Sequence, residues 1–371
     1  MSRYPDGGGL PSPGPDQAGA HPDGGHPDRA DRDRAHSDGG HSNGGHFDGA
    51  HSDGGRPERG ARRRFTGGRP GTGLGDATVP AFASYYGQPI LHAPNWAPVD
   101  IASYFFLGGL AGASSVLAAG AHAAGLPALA RTSKVGAAVA IGGSLAALVH
   151  DLGRPGRFVN MLRVLKPTSP MSIGSWLLSG YAPVTVVAAA SALTGRATRL
   201  GALATGTAGL LGPVVVEYTS VLIGDTAIPA WQDGHRELPF LFAGSAAAAA
   251  GGLGMLGAPV AQAGPARRTA AFGVLVDVCA SKLMRQRLGM VAETYQRGRA
   301  GRLMRAARGL AVAGALGGLL LGRDNRAAAA MCGAALLAGS MCVRFAVFEA
   351  GLASARDPRY TVVPQRTRRA P

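Results

Sequence analysis

Between residues 99 and 349 the chain repeats one pattern eight times: 18–23 positions dominated by Ala, Gly, Leu and Val, followed by a short polar break. The runs cover 99–121, 134–151, 172–194, 201–223, 239–261, 269–288, 305–322 and 327–349. A hydrocarbon core about 30 Å thick is crossed by a helix of about 20 residues. The pattern therefore predicts an all-α integral membrane protein, an eight-transmembrane-helix bundle. The sixth run departs from the others, because Asp277, Lys282, Arg285 and Arg287 interrupt it. Glycines are frequent within the runs, and Gly108-x-x-x-Gly112 suits close helix packing in lipid.

Residues 1–76 follow a different rule. They hold 20 of the 58 glycines and repeat a His-x-Asp-Gly-Gly unit through His21, His26, His36, His41, His46 and His51. Such a segment buries too little apolar surface to offset chain entropy, which predicts disorder. The division expected is a disordered Gly/His/Asp-rich tail over 1–90 and a membrane domain over 91–365. Histidine tracts bind divalent metals in some proteins, but flexible glycines offer no supporting shell, and a solvated linker is the preferred reading. No apolar stretch follows the first basic residues, so no secretory signal is expected and the amino terminus should remain cytoplasmic.

Composition sharpens the membrane reading. Only 16% of residues are charged against 46% hydrophobic, and mean hydropathy is +0.10; soluble domains carry about 25% charged residues. The net charge of +15 looks like a nucleic-acid signal, yet it divides unevenly. Residues 1–76 balance 10 Arg against 11 acids, which leaves 27 basic and 11 acidic residues in the apolar part. There it reads as topology: 17 basic residues fall on the side of both termini and 8 on the opposite side. The positive-inside rule then puts both termini in the cytoplasm of a cell membrane, and no nucleic-acid partner is expected. Three cysteines, Cys279, Cys332 and Cys342, lie in apolar runs with no CxxC, so a disulfide framework, a zinc knuckle and an iron–sulfur motif are all excluded. His122 and His150 end successive antiparallel helices and cannot be two axial ligands of one haem. No metal or haem of its own is expected, and cluster chemistry must come from a partner.

With this topology, four elements distant in sequence bring polar groups to one face. They are Asp100 and Tyr104 at the start of run one, His150 and Asp151 at the end of run two, Ser175 and Trp176 early in run three, and Glu217, Tyr218 and Asp225 late in run four. Ionisable groups in lipid are costly and face a cavity or a partner, so the convergence marks a candidate site. For Asp100, Asp151 and Asp225 helix capping is the competing reading. Glu217 sits inside its run, where a cap cannot explain it; Tyr218 alone would read as a belt tyrosine. Asp277, Lys282, Arg344 and Glu349 are the remaining intramembrane polar residues. Structural interhelical ion pairing is preferred for them over a proton relay. Arg154 and Arg157, with Phe158, occupy the loop after run two; they suit docking of an acidic partner or simple anchoring at the membrane surface. Ser169 and Pro170 then supply the cap and first turn of the next helix.

Several stretches taken together resemble the NrfD/PsrC family, the membrane subunits of polysulfide-reductase-like molybdoenzymes. They are Tyr104-Phe-Phe-Leu-Gly-Gly-Leu-Ala-Gly112, Asp151-Leu-Gly-Arg-Pro-Gly-Arg-Phe158, Lys166-Pro-Thr-Ser-Pro-Met171, Gly224-Asp-Thr-Ala-Ile-Pro-Ala-Trp231 and Arg344-Phe-Ala-Val-Phe-Glu-Ala-Gly351, followed by Ser354-Ala-Arg-Asp-Pro358. The similarity spans about residues 90–365. It implies a membrane anchor that exchanges electrons between the quinone pool, menaquinone or ubiquinone, and a ferredoxin-like, four-cluster iron–sulfur subunit, which serves a molybdopterin catalytic subunit. On this resemblance Tyr218 holds the quinone head group together with Tyr104, and Trp176, at the same depth, is placed with them. Tyr104 stands where the family often has histidine, a departure that passes proton exchange to Glu217 or Asp100, since a phenol with a pKa near 10 exchanges protons poorly. Partner docking falls on Arg154, Arg157, Phe158, Ser169 and Pro170. Two rival readings remain: a purely structural anchor of a cytoplasmic enzyme, and a small-solute transporter. Against the latter, Pro183 and Pro213 have no matching pair in the second half.

Overall fold

The computed structural model describes residues 91, 96–154 and 156–369. The tail expected over 1–90 lies outside the described residues. The elements are α1 (Pro98–Ala123), α2 (Pro127–Asp151), α3 (Gly156–Met161), α4 (Pro170–Thr194), α5 (Thr198–Gly224), α6 (Pro229–Gln232), α7 (Leu238–Gly257), α8 (Gly264–Arg287), a 3₁₀ helix (Gly289–Tyr295), α9 (Gly298–Leu320), α10 (Arg326–Arg356) and α11 (Arg359–Arg369). No strand occurs among the described residues. The eight long helices lie over the eight apolar runs.

Their ends differ from the runs for identifiable reasons. α2 begins at Pro127, well ahead of residue 134, because proline at the first helical turn fixes φ and loses no needed donor. α9 begins at Gly298 and not at 305, since arginine is a good helix former whose charge reaches out of the apolar zone on a long stem. α7 stops at Gly257, two residues before Pro259. Ser169 caps α4 by accepting the Ser172 N–H at 3.5 Å, and Asn325 caps α10 by accepting the N–H groups of Ala327 and Ala328.

Seven of the long helices are long and apolar enough to cross a membrane, so the chain is a multi-pass membrane protein; α8, with its charges, does not meet that standard. It nevertheless runs the length of the bundle. In its first turn Arg267 donates to the Gly322 carbonyl past the end of α9 (3.2 Å), and in its last turn Arg287 pairs with Glu237 ahead of α7 (2.6 Å).

α1 is the central helix and packs on α2, α5, α7 and α10. At its crossing with α5, Gly112 and Gly212 stand back to back, and a Cβ on either would come within 2.5 Å of the other's carbonyl oxygen. Gly108, the other half of the expected glycine motif, faces Ser144 of α2 instead, so the two glycines serve different neighbours. Lipid is as apolar as leucine, so such close contacts, more than apolar burial, hold the helices together. The outward positions accordingly carry the larger side chains, Val139, Leu203 and Leu210 among them.

On the face where α1 begins, the two halves of the bundle are tied by α6. Trp231 is fully buried and donates through Nε1 to the Val347 carbonyl of α10 (2.8 Å). The Ala230 N–H donates to Ser354 Oγ (3.2 Å), and the Tyr295 hydroxyl donates to the Ala230 carbonyl (2.9 Å). Burial pushes the pKa of the Tyr295 phenol up, which keeps it a proton-bearing donor. The 224–231 and 344–358 segments, far apart in sequence, are thus one knot.

Candidate functional site

The end of α2 is sewn to the start of α1. Asp151 accepts the Ala97 backbone N–H at 2.9 Å, and the neighbouring His150 bonds Asp100 through Nδ1···Oδ2 at 2.8 Å. This stitch, with the first turns of α4 and the last turns of α5, closes an apolar cavity of about 90 Å³. Trp96, Ile101, Tyr104 and Phe105 form one wall, Leu148, Asp151 and Leu152 the second, Met171, Gly174, Ser175 and Leu178 the third, and Tyr218 and Leu222 the fourth; Met161 closes the side of the loop.

Two phenols define its chemistry. Tyr104 and Tyr218 meet edge to face, with ring centroids 6.3 Å apart. The Tyr218 hydroxyl is buried and has no hydrogen-bond partner among the described residues. Leaving a buried hydroxyl unpaired costs about 1–3 kcal/mol, so it is ready to donate to whatever fills the cavity. Its ring lies against Gly174, where any side chain would collide with it. Glycine at 174 is therefore what admits the phenol. The arrangement suits a planar apolar molecule that carries a hydrogen-bond-accepting oxygen.

Residues 92–253 match the family model described as Polysulphide reductase, NrfD. This stretch is similar to the NrfD family. No curated protein matches the chain. The NrfD stretch reaches from ahead of α1 into α7 and includes every residue that lines the cavity.

Several of the residues expected at this site lie elsewhere. Trp176 is 44% exposed and points away from the cavity; the tryptophan that lines it is Trp96, held by stacking on Trp231 at 6.1 Å. Glu217 does not share the cavity with Tyr218. Successive helical residues point about 100° apart, and Glu217 lines a second cavity of about 460 Å³ with Ala113, Val116, Pro213, Ala243 and Thr269. Asp100 is bound to His150 and does not line the first cavity, whereas Asp151 does. Asp225 follows the last residue of α5 and is exposed.

The loop between α2 and α4 carries the expected docking residues on one surface. Arg154 and Arg157 are exposed, Phe158, Ser169 and Pro170 half-buried. Arg157 donates to the Leu152 carbonyl (2.9 Å), while Ser172 Oγ donates to the Val164 carbonyl and accepts the Lys166 N–H, both at 3.0 Å. These bonds hold the loop against the cavity mouth, with Val159, Val164 and Leu165 exposed between the basic groups.

The intramembrane polar residues do not form one group. Arg344 is fully buried, donates to the Phe242 carbonyl (2.9 Å) and stacks 3.7 Å over the Phe242 ring centroid. Its Nε and Nη1 are unbonded, as is Asp277 Oδ1. Asp277 and Glu217 both lie within electrostatic reach of Arg344 without a direct bond to it. Glu349 instead pairs with Arg299 at 3.1 Å, and Lys282 is exposed. Among the described residues no group of three His, Cys, Asp or Glu is placed to hold a metal.

Proposed function

We propose that the chain is the membrane-anchoring, quinone-interacting subunit of a multi-subunit molybdopterin and iron–sulfur oxidoreductase. The observation that carries this reading is the unpartnered, buried Tyr218 hydroxyl at the wall of an apolar cavity. The match of residues 92–253 to the NrfD family model supports it. The Tyr218 hydroxyl donates to a quinone carbonyl, Tyr104 packs against the head group, and the side chains of Ile101, Phe105, Leu148 and Leu178 exclude water. Oxidation of a quinol sends two electrons to the iron–sulfur partner and releases two protons; the reverse reaction consumes both. For the protons the Asp100–His150 pair beside Asp151, with an imidazole 80% exposed, offers an exit to the surface. Glu217 faces the other cavity, so the proton step passes to Asp100.

The iron–sulfur partner docks on the loop from 151 to 171, beside the cavity. All eight long helices cross the cell membrane in this reading, α8 shielded by its neighbours, with both termini and the partner cytoplasmic. Tyr218→Phe, introduced into the assembled complex, tests the proposal. Quinol-linked activity should fall about tenfold or more, the effect of one hydrogen bond to substrate, while the complex still assembles. Unchanged turnover would overturn the assignment and leave the structural anchor.

A further inference from the structure

The second cavity, of about 460 Å³ between α1, α5, α7 and α8, takes no part in the reading above. Its α1 wall is a single helical stripe. Ala113, Val116, Leu117, Gly120, Ala121 and Ala124 follow the i, i+3, i+4, i+7 spacing, so they share one face along about 16 Å of helix. The adjoining stripe is taken by α5, whose Gly212 meets Gly112 and whose Gly209 meets Ala119. α8 packs chiefly on α7, with Gly244 against the Asp277 backbone, and its Pro265 and Thr269 complete the wall. Val116, Gly120 and Pro213 are exposed, which opens the cavity sideways to lipid.

One charged residue lines this apolar space. Among the described residues of the wall, Glu217 is the only ionisable one, and it lies about 10 Å along α5 from the Gly224 end. It is half-buried, whereas Arg344 and Asp277 are enclosed. Ser220 Oγ approaches Glu217 Oε2 at 3.4 Å, and Oε1 has no hydrogen-bond partner among the described residues. Thr269, the one other polar side chain of the wall, makes no bond to it. A carboxylate at this depth is costly unless a donor reaches it. The donor has to come from whatever enters the cavity.

The size and lining are those of a small-molecule pocket, a few hundred cubic ångströms of apolar wall with one orienting polar group. The polar group selects the molecule. A carboxylate accepts hydrogen bonds and donates none, whereas a phenol such as that of Tyr218 does both. A quinone presents carbonyl acceptors; its quinol presents two O–H donors. A phospholipid would put only acyl chain beside Glu217, since headgroups stay at the surface, and would leave the carboxylate without a donor. We propose that this cavity is a second site, selective for the quinol, with a ring hydroxyl donating to Glu217 and the isoprenoid chain lying along the α1 stripe. The proposal rests on the quinone reading of the chain and is independent of the Tyr218 cavity.

Decylubiquinol and decylubiquinone are titrated against the full chain in mild detergent, and the bound molecules are counted by native mass spectrometry. Wild type should take up two quinols, one of which the quinone does not displace. Glu217→Leu should weaken that one about tenfold or more, the effect of a hydrogen bond to a charged group. Glu217→Gln, which adds an N–H donor, should admit the quinone as well and lose the selectivity. If the leucine variant does not fold, Ala243→Leu, which fills the cavity and keeps Glu217, should remove the same quinol. A single bound quinol that responds to Tyr218→Phe and not to Glu217→Leu overturns this second site and leaves the first standing. A single quinol with the reverse response supports the second site and overturns the first. Two quinols undiminished in Glu217→Leu, or equal affinity of the Glu217-dependent site for quinone and quinol, overturn the proposal. Displacement of that quinol by an equal concentration of phosphatidylglycerol also overturns it and assigns the cavity to lipid.

Discussion

The cavity between α1, α2, α4 and α5 and the buried charges between α5, α8 and α10 use polar groups in opposite ways. In the first, one neutral hydroxyl is buried without a partner among the described residues, on a tyrosine that lines the cavity. In the second, a guanidinium is enclosed on every side, bound to a carbonyl and an aromatic face, with two carboxylates held at electrostatic distance. An unpaired hydroxyl costs little and can be redeemed by a ligand. An enclosed guanidinium is costly to disturb, because its removal strands carboxylates chosen to balance it. A binding role belongs to the first arrangement and an organising role to the second.

The contrast breaks if the two respond alike to substitution. Arg344→Met should have the largest effect, a loss of about 3–5 kcal/mol from stranding the buried Asp277 together with the lost bond to the Phe242 carbonyl, seen as a steep drop in unfolding midpoint in lipid nanodiscs; wild-type stability would make the buried charges dispensable. Gly174→Ala comes next. The methyl group forces the Tyr218 ring out of place, with a cost of about 1–3 kcal/mol and a rise in quinol KM that exceeds any change in assembly. Trp231→Phe removes the bond to the Val347 carbonyl, worth about 1 kcal/mol. It should lower stability modestly and loosen Trp96 at the cavity, read as weaker quinol binding. Trp176→Ala should be the mildest, with quinol turnover within about twofold of wild type, as expected of an exposed side chain. A larger loss would return Trp176 to the site.

The helices were legible because lipid imposes both length and composition, and even the charged α8 lies where its apolar run predicted. Which face of each helix looks inward was not legible. In a bundle surrounded by lipid, the outward Leu and Val and the inward Ala and Gly are all apolar, so hydropathy gives no phase. Trp176 was assigned to the site on depth alone, and its position turns it to the lipid. Trp96 was missed because it precedes the first apolar run; a tryptophan just ahead of a helix-starting proline was the available signal. Glu217 and Tyr218 were read together although adjacent residues on a helix point about 100° apart, and helical periodicity alone separates them. The partners of Glu349 and Arg344 depend on interhelical register, which no local pattern encodes. Tyr104 and Tyr218 line one cavity because the elements that carry them meet at the same end of the bundle.

The stack of Trp96 on Trp231 and Phe348 also sets an order of construction. A chain threaded into the membrane from its amino end lays down α1, α2, α4 and α5 early, and these contain nearly the whole cavity. Trp96 has no platform until α6 is in place, and α6, bonded first by the Tyr295 hydroxyl, gains its remaining partners when α10, the last long helix, supplies the Val347 carbonyl and Ser354. A half-inserted chain therefore has an unfinished wall, and the site matures only when synthesis of the membrane domain is essentially complete.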